Sequence, residues 1–248
     1  MQNRQHKQAE ILPEWFSTQA GRQLLDQQQT ALKTLIPDQF YALGLQWGYA
    51  QQLTIEGLNI QQLYYADRVL SDAPIKSQVV ALPEALPFAE NSLDIAIMAH
   101  TLDYCNDPHH ALREVAQALN PEGILVLTGF HPYSLWGLRR IISKIKPPFD
   151  ARFIARNKLQ DWLALLGFQT VSACMLNYQP PALNSNWRYK LSFMDKMGDR
   201  WWPTLGAVYV LVVKKRVLSG LSVKNKQKVS AKWFRQLSPT QAKIAHRN

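Results

Sequence analysis

Cysteine is scarce. The 248 residues hold two, Cys105 and Cys174, far apart in the chain. Two distant thiols make no disulfide framework and point to free cysteines in a reducing compartment. No apolar run approaches the roughly 20 residues that a membrane-spanning helix needs. The opening stretch, MQNRQHKQAE, lacks the apolar segment of a signal peptide. These absences set the expectation of a soluble, cytoplasmic protein. Internal repeats and low-complexity blocks are also missing. Acidic residues are absent from one region: Lys214–Asn248 carries ten Lys or Arg and no Asp or Glu. Met1–Val213 holds 18 of each sign, so the whole net charge of +10 lies in that terminal stretch. A neutral body with a basic tail argues for an appendage rather than a nucleic-acid-binding fold. The tail is then either solvated or weakly attached to an anionic partner.

What is present is an alternation of element types, in a chain whose 47% hydrophobic content fits one full core. WFSTQAGRQLLDQQQTALKTLIP places Leu24, Leu25, Gln28, Leu32 and Leu35 on one helical face, and Pro37 stops it. QFYALGL reads as a short strand, the segment from Gly48 to about Glu56 as a helix, and IQQLYYA as a second strand. LDIAIMA, Leu93–Ala99, is apolar apart from Asp94, as expected of a strand buried on both faces of a parallel sheet. Asp107 caps a helix with Pro108 at its first position, and Leu112, Val115, Ala116 and Leu119 form its inner stripe. Pro121-Glu122-Gly123 turns the chain into the strand ILVLTGF. NKLQDWLALLGF is a helix ending at Gly167; QTVSACML and GAVYVLVVKK are the last strands, with no long apolar helix between them, so an antiparallel pairing is open. The alternation predicts a doubly wound α/β sheet. In such a sheet ligands bind beyond the carboxyl ends of the strands. That picks out Gly44–Gly48, the neighbourhood of Asp67, Leu82–Glu84, His100–Tyr104 and Phe130–Trp136.

The segment Leu82–Pro132, with LPFAENSLD and LREVAQALNPEG in order, closely resembles the class I S-adenosylmethionine-dependent methyltransferases of the type 11 kind. The resemblance implies a Rossmann-like seven-stranded sheet, mostly parallel with one antiparallel strand and helices on both faces. It implies S-adenosylmethionine as cofactor but no particular substrate; a small-molecule acceptor is expected from the aromatic insert. It also divides the chain into an N-terminal helical segment (1–36), a methyltransferase-like domain (37–216) with an aromatic insert at about 177–206, and the basic tail (217–248). In this family the first strand ends in a glycine-rich loop against the cofactor. LGLQWG keeps Gly44 and Gly48 in that register, with Leu45, Gln46 and Trp47 between them and no middle glycine. The loop is therefore expected as a degenerate cofactor loop. The family's acid at the end of the second strand is matched by Asp67, or Asp67 is a surface residue in a turn. At the adenine position the resemblance places Leu82 and Pro83, which offer neither a carboxylate nor an N–H; Glu84 is the nearest substitute. His100 and Thr101 follow the fourth strand as further cofactor contacts.

Methyl transfer from a sulfonium needs the acceptor atom in line with the methyl and little else. A general base is needed only when the acceptor arrives protonated. His131 and Tyr104 are the candidates for catalytic roles, with His100, Asp103 and Tyr133 nearby. His109 and His110 have no metal-ligand spacing, and no metal is expected. The helix SLWGLRRIISKIKPPF reads as a lid or a solvated surface helix. In the insert, Trp187, Tyr189, Phe193, Trp201 and Trp202 are candidates to line an apolar acceptor pocket. Three functions follow: a methyltransferase for a small or apolar acceptor, a non-catalytic interaction module built on the same sheet, or an RNA or protein methyltransferase using the basic tail.

Overall fold

The computed structural model describes residues 14–48, 53, 57–69, 77–142, 148–181, 197, 201–202 and 204–216. The helix expected from Gly48 to Glu56, Lys144, Lys146, the insert aromatics Trp187, Tyr189 and Phe193, and the basic tail lie outside the described residues, apart from Gly48 and Leu53. The chain divides into two units, Met1–Arg216 and Val217–Asn248.

One seven-stranded sheet organises the first unit. Its strands are β1 (Tyr41–Trp47), β2 (Ile60–Asp67), β3 (Gln78–Val80), β4 (Leu93–Ala99), β5 (Leu119–Phe130), β6 (Phe168–Leu176) and β7 (Val208–Lys215), in the order β3-β2-β1-β4-β5-β7-β6. All neighbours are parallel except β7, which runs antiparallel to both β5 and β6. The last two strands form the antiparallel pair that the sequence leaves open, with no long apolar helix between them. The three-residue strand β3 has no apolar run to announce it. The sheet order reverses between β1 and β4, and a ligand crevice belongs at that point.

Helices cover both faces. Helix α1 (Gln19–Leu35) buries Leu24, Leu25, Gln28 and Leu32 against one face, and Thr18 caps it by accepting from the Gly21 N–H. Strand residues Ile95, Ile97, Val126, Phe130, Val210 and Val212 complete that layer. On the opposite face lie α2 (Thr101–Tyr104), α3 (Pro108–Ala118) and α5 (Arg156–Leu165), packed on Leu45, Met98, Leu127, Tyr209 and Leu211. A further helix, α4 (Leu135–Ile142), follows β5. Asp107 caps α3 through the N–H groups of His109 and His110. This capping holds its carboxyl below the usual range. Among the described residues no helix is long and apolar enough to cross a membrane.

Asp94, the polar exception in β4, has a structural task. Its Oδ2 accepts from the N–H groups of Ala42 and Leu43 at 2.8 and 3.0 Å, and its Oδ1 from Asn120 Nδ2 at 2.7 Å. One carboxylate thus fixes the start of β1 and the entry to β5 against β4.

Gly44 sits inside β1, paired with Leu63 on β2 and Ile95 on β4, and is not a loop residue. A Cβ there would lie 3.1 Å from Ile60 Cγ2, Ile95 Cγ2 and Leu63 Cδ1. Glycine is required by the side chains of neighbouring strands. Gly44→Val should therefore lower stability by about 1–3 kcal/mol through overpacking. That corresponds to a fall of roughly 2–10 °C in the thermal midpoint read by circular dichroism. An unchanged midpoint would show that the methyl groups move aside freely.

Candidate functional site

The carboxyl end of β1 is built around Gly48, whose φ of +69° favours glycine and whose missing Cβ would face open space. Its N–H donates to the Ala66 carbonyl on β2 at 2.9 Å. The turn away from the sheet thus begins at Gly48, four residues later than a loop opened by Gly44 would begin. Leu45 and Gln46, expected as loop contacts, are strand residues and fully buried. Gln46 ties the following chain from beneath: its Nε2 donates to the carbonyls of Leu53 at 3.0 Å and Gly48 at 3.4 Å.

Asp67 ends β2, one residue beyond the Trp47–Ala66 pair and so beside Gly48. Its Oδ1 accepts from the Arg68 N–H at 2.6 Å. Desolvation raises its pKa, opposed by that N–H and by the Arg68 guanidinium. Arg68 itself donates from Nη2 to the Tyr104 carbonyl at 3.2 Å. It therefore bridges the carboxyl ends of β2 and β4, the two strands that flank β1.

Beyond β3, Leu82 is half exposed at 50% while Pro83 is buried, in a tight turn closed by Ala85 N–H to the Leu82 carbonyl at 3.0 Å. Glu84, expected as the nearest substitute at the adenine position, has one oxygen engaged within the fold. Its Oε1 accepts from the N–H groups of Asn106 at 2.8 Å and Asp107 at 3.2 Å, bracing the start of α3. Cys105, between these groups, is buried, and its thiol is pushed up to about 12 by desolvation first and by Glu84 second. It is an inert thiol.

At the end of β4, His100 takes a left-handed conformation, φ 53° and ψ 13°, and turns its ring into the protein, 1% exposed. Nδ1 meets Asp103 Oδ2 at 2.9 Å and Nε2 meets Gln28 Nε2 on α1 at 3.1 Å. Both ring nitrogens are thereby engaged within the fold, and the ring packs between Phe130 and Phe16, with centroids at 4.3 and 5.8 Å. The expected cofactor contact through this ring is replaced by a structural one. Asp103 Oδ2 also accepts from the Phe130 N–H at 3.0 Å. Burial raises the Asp103 pKa and His100 opposes the rise. Across β5, Tyr209 approaches so closely that any side chain at Gly129 would collide with its phenol. Thr101 is buried beside His100, its Oγ1 3.5 Å from the Ala99 carbonyl. Tyr104 is half-buried and donates to Asp150 Oδ1 at 3.4 Å.

An aromatic cluster lies in the layer under α1. Phe130 stacks with Phe153 and Trp136, and Trp136 meets Trp15 and Phe149. Trp201 and Trp202 are exposed. No single-sequence periodicity marks Trp15 as a neighbour of Phe149 and Phe153, because it lies on a segment far away in sequence. His131, after β5, is 6% exposed, and its Nδ1 has no hydrogen-bond partner. Burial lowers its pKa, as does the nearby Arg156 cation, and a hydrogen bond from the ring to the Tyr133 backbone opposes the fall. Of the other histidines, His109 lies against Trp162 and His110 reaches Glu114 at 3.6 Å. Among the described residues no group of three metal-ligating side chains assembles.

Removing Asp103 should therefore be costly. Asp103→Ala leaves His100 Nδ1 and the Phe130 N–H buried without an acceptor, and should destabilise by about 3 kcal/mol. Asp103→Asn retains one oxygen and should lose roughly half as much. Urea unfolding of both variants checks this; equal losses would mean that the carboxylate's charge, not its acceptor geometry, matters.

Comparison with known proteins covers the same region. Residues 47–127, from the end of β1 through most of β5, match the methyltransferase domain family. The uncharacterized protein YafS of Escherichia coli is 35% identical over 143 residues, covering 57% of this chain and 56% of YafS. A malonyl-[acyl-carrier protein] O-methyltransferase of Methylovorus is 26% identical over 161 residues, covering 64% of this chain and 48% of that protein. The chain thus spans about half the length of these two relatives. Among solved structures, an S-adenosylmethionine-dependent methyltransferase of Thermotoga maritima, described as a possible histamine N-methyltransferase, superposes with a TM-score of 0.58 at 20% identity. The superposition covers 78% of this chain and 89% of that one, and the likeness is one of fold. From the end of β1 to the apolar stretch of β5 the chain is similar to the methyltransferase domain family, and its fold is that of S-adenosylmethionine-dependent methyltransferases.

Proposed function

We propose that the protein transfers a methyl group from S-adenosylmethionine directly, in line, to a small or apolar acceptor. The observation that carries this reading is the pairing of Gly48 with Asp67. An open, left-handed glycine ends β1, and a carboxylate ends the neighbouring strand. These residues fit the family's cofactor. Gly48 would allow close approach of its amino-acid part, and Asp67 Oδ2 would accept from the ribose hydroxyls. Leu82 and Pro83 would line the adenine by contact alone. When bound, the cofactor supplies a methyl already activated on a sulfonium. The chain's own contribution is then to hold and orient the acceptor and to exclude water. Burial keeps His131 neutral to lower pH than usual, so its Nδ1 is suited to take a proton from an acceptor that carries one. Tyr104 is the second candidate on the acceptor side.

A second reading, a non-catalytic interaction module, is favoured by one contact. Arg68 spans from β2 to Tyr104, and a ligand lying across the end of β1 would have to share that space. Calorimetry of the full chain with S-adenosylhomocysteine separates the two. One site is expected, and Asp67→Ala should weaken it by about tenfold to a hundredfold, since hydrogen bonds to a charged group contribute roughly 1.5–3 kcal/mol. Absence of binding at millimolar concentration in both the natural chain and Arg68→Ala would leave only the module reading.

The adenine side yields a further expectation. Apolar contact with Leu82 and Pro83 cannot tell an amino from a keto group, whereas a hydrogen-bonded site rejects the wrong base strongly. An inosine analogue of the cofactor product should bind within about tenfold of the adenosine form, roughly 1.4 kcal/mol. A preference of a hundredfold or more, measured by competition, would reveal an acceptor for the amino group, with the second oxygen of Glu84 first in line.

A further inference from the structure

Helix α4 turns apolar residues toward water. Its inner face is fixed by contacts. The Trp136 indole donates to the Gln179 carbonyl at 3.0 Å and stacks with Phe130. A Cβ on Gly137 would collide with the Pro132 backbone, and Arg140 Nε donates to the Ala151 carbonyl at 2.9 Å. Ser134 starts the helix, its Oγ accepting from the Gly137 N–H at 3.0 Å. With Trp136, Gly137 and Arg140 held inward, the helical period leaves Leu135, Leu138 and Ile141 together on the outer stripe. Leu138 is 58% exposed and Ile141 73%. An ordinary surface helix presents polar side chains on that side.

More exposed apolar surface leaves from the same end of the sheet. The His131 N–H donates to the Ala207 carbonyl at 2.9 Å, so the chain leaving β5 and the chain entering β7 pass side by side there. Tyr133 follows the first of these residues, and Trp201 and Trp202 precede the second; all three are exposed. The surrounding sequence is basic. From His131 to Phe149 it carries Arg139, Arg140, Lys144 and Lys146 and no acidic residue. Arg139 and Arg140 lie over the rings of Phe149 and Phe153, and neither enters an ion pair among the described residues. In sequence beyond β7, Val217–Asn248 adds seven Lys or Arg and no Asp or Glu.

We propose that the outer stripe of α4, with Tyr133, Trp201 and Trp202, seats the protein on an anionic phospholipid surface. Aliphatic side chains on such a stripe enter the acyl boundary of the bilayer. Tyrosine and tryptophan suit the headgroup level, because each ring is apolar with one polar atom. Cations flanking the stripe answer the lipid phosphates. Nucleic acid would match the charge, but it offers nothing to Leu135, Leu138 and Ile141. A second copy of the chain would match the stripe, but it brings a further charge of +10. An acidic protein would match the charge, yet the stripe has no polar group for the hydrogen bonds that protein interfaces carry. Among the described residues no helix could cross a membrane, so the attachment is to the surface. It needs no cofactor and is independent of the methyltransferase reading.

The test mixes the full chain with vesicles of phosphatidylcholine alone, or of phosphatidylcholine with an equal share of phosphatidylglycerol. Attached protein is read by flotation in a density gradient. Affinity for the anionic vesicles should exceed that for the neutral ones by about tenfold or more, and should fall as salt is added. Leu138→Gln combined with Ile141→Gln removes the stripe at two exposed positions while the basic residues stay. This variant should lose about tenfold or more in affinity. Its thermal midpoint should stay that of the natural chain, since neither side chain is buried in the fold. Equal affinity of variant and natural chain would mean that basic charge alone draws the protein to lipid, and would overturn the surface. Failure of the natural chain to float with either vesicle would overturn it too. Sedimentation of both chains, alone and with a synthetic RNA duplex, then identifies the replacement. A dimer that the variant abolishes assigns the face to a second copy, and RNA binding without flotation assigns the basic charge to nucleic acid.

Discussion

Asp103 Oδ2 accepts from His100 Nδ1 at 2.9 Å and from the Phe130 N–H at 3.0 Å, and through His100 it reaches Gln28 on the far side of the sheet. The Asp103 carbonyl accepts in turn from the Arg152 N–H at 2.8 Å. Four segments distant in sequence meet on this one residue: α1, the end of β4, the end of β5 and the stretch before α5. A left-handed conformation at a non-glycine residue is unfavourable, and His100 holds it because both ring nitrogens and its own N–H are engaged. The arrangement is expensive to bury and expensive to break. It turns the middle of the sheet's carboxyl edge into packed protein.

That constraint shapes where ligands can lie. With the ring of His100 directed inward between Phe16 and Phe130, polar side chains remain available on either side of β4 rather than on it. On one side stand Gly48, Asp67 and Arg68, at the ends of β1 and β2. On the other stand His131 and Arg156, at the end of β5 and the start of α5. At the amino edge Asp94 performs the equivalent bracing, taking two N–H groups of β1 and the amide of Asn120. Between the two carboxylates β4 is wholly apolar.

Much of the fold was legible in the chain because its signals are local. The strand at Leu93–Ala99 is apolar apart from Asp94, β7 is apolar up to Val213, and the cap Asp107-Pro108 announces α3. The inward residues of α1 follow the 3.6-residue period. The site was less legible. Gly44 and Gly48 have the spacing of a loop, yet β1 runs through the first and ends before the second. Spacing cannot report which strand residues lie opposite, and Ile60, Leu63 and Ile95 are what require a glycine at 44. Glu84 read as a free carboxylate near an adenine; only the approach of Asn106 and Asp107 shows where its Oε1 is spent.

By itself, then, the sequence determined the sheet-and-helix alternation, the likeness to methyltransferases between the end of β1 and β5, and the separation of charge between body and tail. These depend on the order and type of neighbouring residues, which one dimension records. The tertiary structure alone decided that His100 faces inward, that Arg68 bridges β2 to the segment after β4, and that Glu84 braces the start of α3. Each of those outcomes depends on groups brought together from different strands and helices, across 72 residues in the case of Gln28 and His100. Orientation about a strand's end is set by what packs there, and no local pattern carries it.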